Sequence, residues 1–156
     1  MKSNFSVADK MKNFEKLCRE QGVPLTVQRR VVLETLAGRV DHPTADQIFE
    51  DVTHLLPDLS RTTVYRVLET LVQLGVIHKA QHLGSAARYD PNTEHHHHLS
   101  CLGCHKVVDF ELEEKLFDQI RIPKSSSKDF EITDYSVLFR GYCAECASKK
   151  KRLKGS

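Results

Sequence analysis

The sequence predicts an α+β fold in two parts, a winged helix-turn-helix domain followed by a small α/β unit closed by a four-cysteine zinc site. Three observations predict it. Residues 8–74 carry apolar positions at helical spacing in four successive stretches, each with its own start and stop signal. Two short strand candidates follow. Beyond them lie two Cys-x-x-Cys pairs, Cys101/Cys104 and Cys143/Cys146, the first preceded by the run His95-His96-His97-His98.

In the first stretch Phe14, Leu17 and Cys18 recur at helical spacing before Gly22 stops it, and Cys18 reads as a buried or half-buried helix residue. Thr26 opens a second helix with Val27, Val31, Val32, Leu33 and Leu36 as its inner face and Gly38 after its end. Thr44 is the N-cap expected for a third, in which Ile48, Phe49 and Val52 point inward. Ser60 caps a fourth, with Val64, Val67, Leu68 and Leu71 on one stripe. Its opposite stripe presents Arg61, Thr62, Tyr65 and Arg66, a set able to reach phosphates and base edges in a major groove. Strand candidates Val76–Ala80 and Ala87–Asp90, joined across Gly84-Ser85, complete the order helix, turn, recognition helix, hairpin. The competing reading of that polar stripe is the solvated face that any amphipathic helix has.

After Asp90 the Pro91-Asn92-Thr93-Glu94 turn reads as a hinge into the second part. There the sequence predicts a strand at Val107–Phe110, a helix from Leu112 to Ile120, a polar link at 123–128 and a strand region from Phe130 to Arg140, broken near Asp134. Four thiolates from two brought-together pairs supply the vertices of a tetrahedron, the ligand set of a structural Zn²⁺. A redox dithiol needs only one such pair, at a helix N-terminus. The histidine run is then free for other work, and imidazole beside carboxylate suits Fe²⁺ or Mn²⁺ as well as zinc.

Composition narrows the classes. The chain has 156 residues and a formal net charge of +2, too small to mark a nucleic-acid binder by itself. Residues 91–148 carry 6 Lys/Arg against 10 Asp/Glu, a balance of −4, so this acidic part is not a DNA surface. The basic end from Lys149 reads as a solvated disordered tail or an auxiliary phosphate contact. No apolar run approaches the length of a membrane span, and Met1 to Lys12 lacks the apolar stretch of a secretory signal. With five cysteines, four in metal spacing, the expectation is a cytoplasmic protein without a membrane partner. No His-Glu-x-x-His occurs, which disfavours a zinc hydrolase, and the chain reads as no enzyme.

Several motifs in this order resemble the ferric uptake regulator superfamily. They are Thr26-x-Gln28-Arg29, His42-Pro43-Thr44-Ala45, Thr63-Val64-Tyr65-Arg66, the His-x-His-x-x-Cys-x-x-Cys stretch from His96 to Cys104, and Gly141-Tyr142-Cys143-x-x-Cys146. The resemblance implies a metal-dependent repressor that binds an inverted-repeat DNA operator as a homodimer. Residues 1–90 would form the winged-helix DNA-binding domain, 91–94 the hinge, 95–148 the zinc-containing dimerisation domain and 149–156 a basic tail. DNA contacts are expected from Ser60, Arg61, Thr62, Thr63, Tyr65 and Arg66, and structural zinc from Cys101, Cys104, Cys143 and Cys146.

Within the superfamily the chain looks most like the peroxide-sensing branch. The resemblance implies a regulatory Fe²⁺ or Mn²⁺ held by His42, Asp90, His96, His98 and Asp109, with Asp90 where iron sensors usually carry Glu. It also implies that Fe²⁺ there reduces H₂O₂ locally, with oxidation of His42 or His96 ending repression, whereas Mn²⁺ supports DNA binding without that reaction. His95 and His97 match an additional metal site of iron-sensing relatives, but Tyr135 stands at one ligand position and the acidic partner shifts to Glu113 or Glu114. Solvated loop histidines are therefore the reading for both. His54, His78, His82 and His105 match no ligand position and read as surface residues. The alternatives are an iron- or zinc-responsive repressor of the same family and, from a different class, a zinc-built interaction module without DNA binding.

Overall fold

Helix α1 spans Val7–Gln21, α2 Val27–Ala37, α3 Ala45–Thr53 and α4 Arg61–Gln73 in the computed structural model, which describes residues 6–80, 86–112, 122–131 and 135–154. Each start follows the local chemistry. Ser6 and Asp9 form a capping box on α1, Thr44 and Gln47 another on α3, and the Thr26 and Ser60 hydroxyls accept from the N–H of Arg29 and Thr63. Gly22 ends α1 at φ 66°, where a side chain would be strained. Contacts divide the chain into two compact units, residues 2–94 and 95–156.

The core of the first unit comprises Met11, Phe14 and Cys18 from α1, Val32, Leu33 and Leu36 from α2, Ile48 and Val52 from α3, and Val64, Leu68 and Leu71 from α4. One expected inner-face residue is misplaced. Val27, the first residue of α2, is 64% exposed. Strands β1 (His78–Ala80) and β2 (Arg88–Asp90) pair antiparallel, with His78 opposite Asp90 and Ala80 opposite Arg88. Both are shorter than expected, since Val76 and Ile77 pack into the helical core before the strand begins. The expected Gly84-Ser85 turn lies outside the described residues. A further bridge, Thr44 to Arg88, and the hydrogen bond from Tyr89 N–H to the Pro43 carbonyl, 3.0 Å, fasten β2 to the start of α3.

In the second unit β3 (His97–Cys101) lies between β4 (Val107–Phe110), antiparallel, and β5 (Leu138–Gly141), parallel. Leu99 is opposite Val108 on one side and Phe139 on the other, so the three share a face, and all three are substantially exposed. The polar link contains a one-turn helix, α5 (Lys124–Ser127), and β5 begins only at Leu138, with Phe130 outside any strand. The predicted helix falls largely on 113–121 and the break near Asp134 on 132–134, both outside the described residues. Helix α6 (Ala144–Lys154) runs through the basic segment that reads from sequence as a disordered tail. Lysine and arginine are good helix formers, and their charges suit a helix C-terminus. Among the described residues no helix is long and apolar enough to cross a membrane.

The contrast within α2 is testable by urea unfolding followed by circular dichroism. Leu33→Ala is expected to cost the first unit about 2–5 kcal/mol. Val27→Ala should change stability by less than about 0.5 kcal/mol.

Candidate metal centres

The four cysteines converge in the second unit. Parallel pairing sets Cys101, at the end of β3, opposite Gly141, and the chain then turns through Cys143 into α6, whose first turn carries Cys146. Their four sulfurs lie within 4.8 Å of one another, and Cys104 and Cys143 are 3.8 Å apart. A tetrahedral zinc with Zn–S bonds of about 2.3 Å has S–S edges of about 3.8 Å, so the set fits a structural Zn²⁺. Close approach depends on Gly103, because a Cβ there would meet the Cys146 sulfur at 2.8 Å.

The protein's own dipoles prepare the first ligand. Backbone N–H groups of Cys143, then of Cys104 and Gly103, donate to the Cys101 sulfur and draw its thiol down to about 6, against the opposing effect of burial. The bonds from Cys143 and Gly103 measure 3.3 and 3.4 Å. Cys146 is pushed the other way, to about 12, first by its hydrogen bond with Cys143, then by burial and by the sulfurs of Cys101 and Cys104. One negative charge therefore settles on Cys101, and loading the remaining thiolates must release protons, which makes affinity fall as pH falls.

Each unit also holds a group of imidazole and carboxylate donors. In the first, His42 Nε2 lies 3.1 Å from Asp90 Oδ2, with both side chains buried. Asp90 is oriented from its other oxygen, which accepts the Asn92 N–H at 2.7 Å. In the second unit His96 and His98 direct their Nε2 atoms to one point, 3.0 Å apart, and Asp109 Oδ1 lies 3.5 Å from His96 and 3.7 Å from His98. Asp109 is there because it faces His98 across the β3–β4 ladder. Imidazole nitrogens so close repel unless a proton or a cation sits between them. Nitrogen and carboxylate donors together fit Fe²⁺ or Mn²⁺.

His97 corrects the sequence reading. It is buried within β3, with ring centroids 4.9 Å from His95, 5.4 Å from Tyr135 and 5.6 Å from Phe110, and so is no solvated loop residue. Burial, then the neighbouring imidazoles of His95, His96 and His98, push its pKa below the usual value. His95 is exposed, its Nε2 2.8 Å from the Tyr135 carbonyl. Glu113, Glu114 and His82 lie outside the described residues. His54, His78 and His105 are exposed.

On α4 the expected DNA contacts divide by role. Arg61, Thr62, Tyr65 and Arg66 are exposed. Ser60 and the half-buried Thr63 cap the helix, their hydroxyls 2.8 Å apart. The sequence reading missed Asp46 of α3, which ion-pairs with Arg61 and accepts the Tyr65 hydroxyl at 3.3 Å. It also missed the stacking of Arg61 on Phe49, 4.8 Å from the ring centroid. Asp46 in the first turn of α3 offered only an N-terminal acidic signal, and its partners come from another helix.

A helix-turn-helix unit with a two-stranded wing, joined to a four-thiol unit that also gathers imidazole and carboxylate donors, defines a metal-responsive DNA-binding regulator. The chain belongs to the ferric uptake regulator family, whose sequence profile matches residues 20–140. It is similar to the peroxide-responsive repressor PerR of Staphylococcus aureus, 32% identical over 131 residues that cover 84% of this chain and 87% of that protein. Among solved structures, the Helicobacter pylori ferric uptake regulator Fur superposes with a TM-score of 0.77 at 20% identity, covering 94% of this chain and 97% of that one. The iron-bound regulator from Francisella tularensis superposes with a TM-score of 0.68 at 25% identity, covering 81% and 96%.

Gly103 provides a test of the thiolate site. Gly103→Ala should retain the ladder but lose zinc to a chromogenic chelator several-fold faster than the parent, and Cys143→Ser should purify with little zinc. Equal release rates for the glycine and alanine proteins would mean that the close approach to Cys146 does not matter.

Proposed function

We propose that this chain is a homodimeric, metal-dependent repressor that releases its DNA operator when peroxide oxidises a ligand of a regulatory metal. The observation that carries the reading is a donor group in each unit, His42 with Asp90 in one and His96 and His98 with Asp109 in the other. An ion bound by all five makes different contacts in different relative arrangements of the units, and so shifts the population toward one of them. The Asp90 carboxylate and the 32% identity to a peroxide-responsive repressor support peroxide as the signal.

Each residue then has a task. Arg61, Thr62, Tyr65 and Arg66 approach phosphates and base edges from the exposed side of α4, while Ser60 and Thr63 fix where that helix starts. The apolar row Leu99, Val108 and Phe139 is the surface we assign to a second copy, and two copies fit an inverted repeat. Cys101, Cys104, Cys143 and Cys146 hold zinc as a structural element, and we place the protein in the cytoplasm, where thiols stay reduced. Fe²⁺ held there would make H₂O₂ a local oxidant: one peroxide oxygen would leave as water and the other would pass to a ring carbon of a nearby imidazole, whose C–H supplies the two electrons. His42 or His96, as the adjacent imidazoles, would take up oxygen and lose their donor strength, and each chain would be spent by the event rather than turn over as an enzyme.

The decisive experiment measures operator binding by the Fe²⁺ and Mn²⁺ forms before and after brief H₂O₂ exposure, with the oxidised peptide read by mass spectrometry. The iron form should release DNA and gain one oxygen on His42 or His96, and the manganese form should do neither. Asp90→Glu should keep metal-activated binding and lose most of the peroxide response. Iron protein that stays on its operator without histidine oxidation, and leaves only on chelation, would make this an iron-availability repressor.

Arg61→Ala should weaken operator binding about equally across operator variants and reduce the salt slope by about 1, as loss of a phosphate contact does. An unchanged slope and affinity would exclude this helix face as the DNA surface.

A further inference from the structure

His42 is one of two non-glycine described residues with positive φ, at 48°. That conformation brings Cβ against the backbone and persists in non-glycine residues only where surrounding contacts enforce it. The enforcing contacts come from β2. Arg88, 9% exposed, donates from Nη1 to the His42 carbonyl at 2.8 Å. Residues on both sides are also tied down, by the Thr44–Arg88 bridge and by the bond from Tyr89 N–H to the Pro43 carbonyl. Two positions beyond Arg88, on the same side of the strand, Asp90 meets the His42 ring. One short strand thus grips one residue twice, by its backbone and by its imidazole.

A guanidinium is costly to bury unless charged or polar partners offset the lost hydration. A fixed positive charge near a cation site repels the cation, so any gain in metal binding from Arg88 has to outweigh that repulsion, and the contact it makes is to the His42 backbone.

We propose that Arg88 is a positioning residue for the regulatory metal: by holding the His42 backbone in its left-handed conformation, it presents the imidazole in register with the Asp90 carboxylate. The proposal rests on the reading of His42 and Asp90 as ligands. It predicts an effect opposite in sign to simple charge removal. Without Arg88 the ligand pair is no longer pre-organised, and affinity should fall although an unfavourable charge has gone.

The test compares full-length wild type, Arg88→Met, Arg88→Lys, His42→Ala and the double variant His42→Ala/Arg88→Met, all zinc-loaded, by Mn²⁺ titration calorimetry. Zinc content and circular dichroism check the fold. Loss of a residue that orients a metal ligand typically lowers affinity about 10–100-fold, and Arg88→Met should fall in that range with zinc content unchanged. Arg88→Lys, which keeps a donor on a flexible stem, should recover part of the loss. In the His42→Ala background Arg88→Met should add nothing, since its effect passes through His42. In metal-free protein the ¹H and ¹⁵N resonances of the His42 ring should shift in both Arg88 variants, a change that general loosening elsewhere would not confine to that ring. Should Arg88→Met fail to fold, Arg88→Lys decides alone. Wild-type affinity with unshifted His42 resonances overturns the proposal, and so does a rise in affinity. If His42→Ala itself leaves Mn²⁺ affinity unchanged, the ligand reading fails instead.

Discussion

The alternation of side chains along β3 is the constraint on which the second unit depends. A strand sends successive residues to opposite faces, so a run of four histidines cannot act as one cluster. His96 and His98 go to one side, where the ladder delivers Asp109 beside them. His97 goes to the other, against Phe110 and Tyr135, and two residues further on the same side is Leu99, opposite Val108 and Phe139. The strand ends at Cys101, so the register that sets the regulatory donors also sets the first zinc ligand. Zinc at the cysteines ties β3 to the turn after β5.

The first unit solves a different problem with the same economy of contacts. Its helices are placed by burial of apolar stripes and started by hydroxyl caps, but His42 sits in the link between α2 and α3, where neither rule fixes an imidazole. The wing supplies what is missing. β2 attaches to the start of α3, fixes the backbone at His42 through Arg88 and carries Asp90 to its ring. In the proposed repressor the wing therefore has a task apart from DNA, as the scaffold of half a metal site. Asp46 similarly links α3 to the exposed side chains of α4, holding Arg61 and Tyr65 together on the surface assigned to DNA.

What could be read from the sequence was whatever depends on neighbours in the chain. Helix starts at Thr26, Thr44 and Ser60 follow from side-chain hydroxyls reaching N–H groups three residues on, and the thiolate site follows from doubled Cys-x-x-Cys spacing. Val27 fits the apolar period of α2 and is nevertheless exposed, because periodicity gives a face and not where the packing partner ends. Lysines in α6 read as a tail because charge alone does not distinguish a solvated helix from a solvated coil. Histidines carry little strand preference, so β3 is not legible in the sequence, and His97 reads there as a solvated loop residue once the additional metal site lacks its partners. Arg88 and Asp46 left no readable signal, since each acts on residues supplied by another element.

The proposed switch requires one ion to draw imidazoles from both units. Pulsed electron–nuclear double resonance on the Mn²⁺ protein tests it most directly, using ¹⁵N-histidine labelling to count directly bound ring nitrogens. Couplings from His42, His96 and His98 are expected, with one coupling lost in each single alanine variant. A spectrum that loses a coupling in the His96 and His98 variants but is unchanged by His42→Ala would confine the ion to the second unit and contradict that requirement.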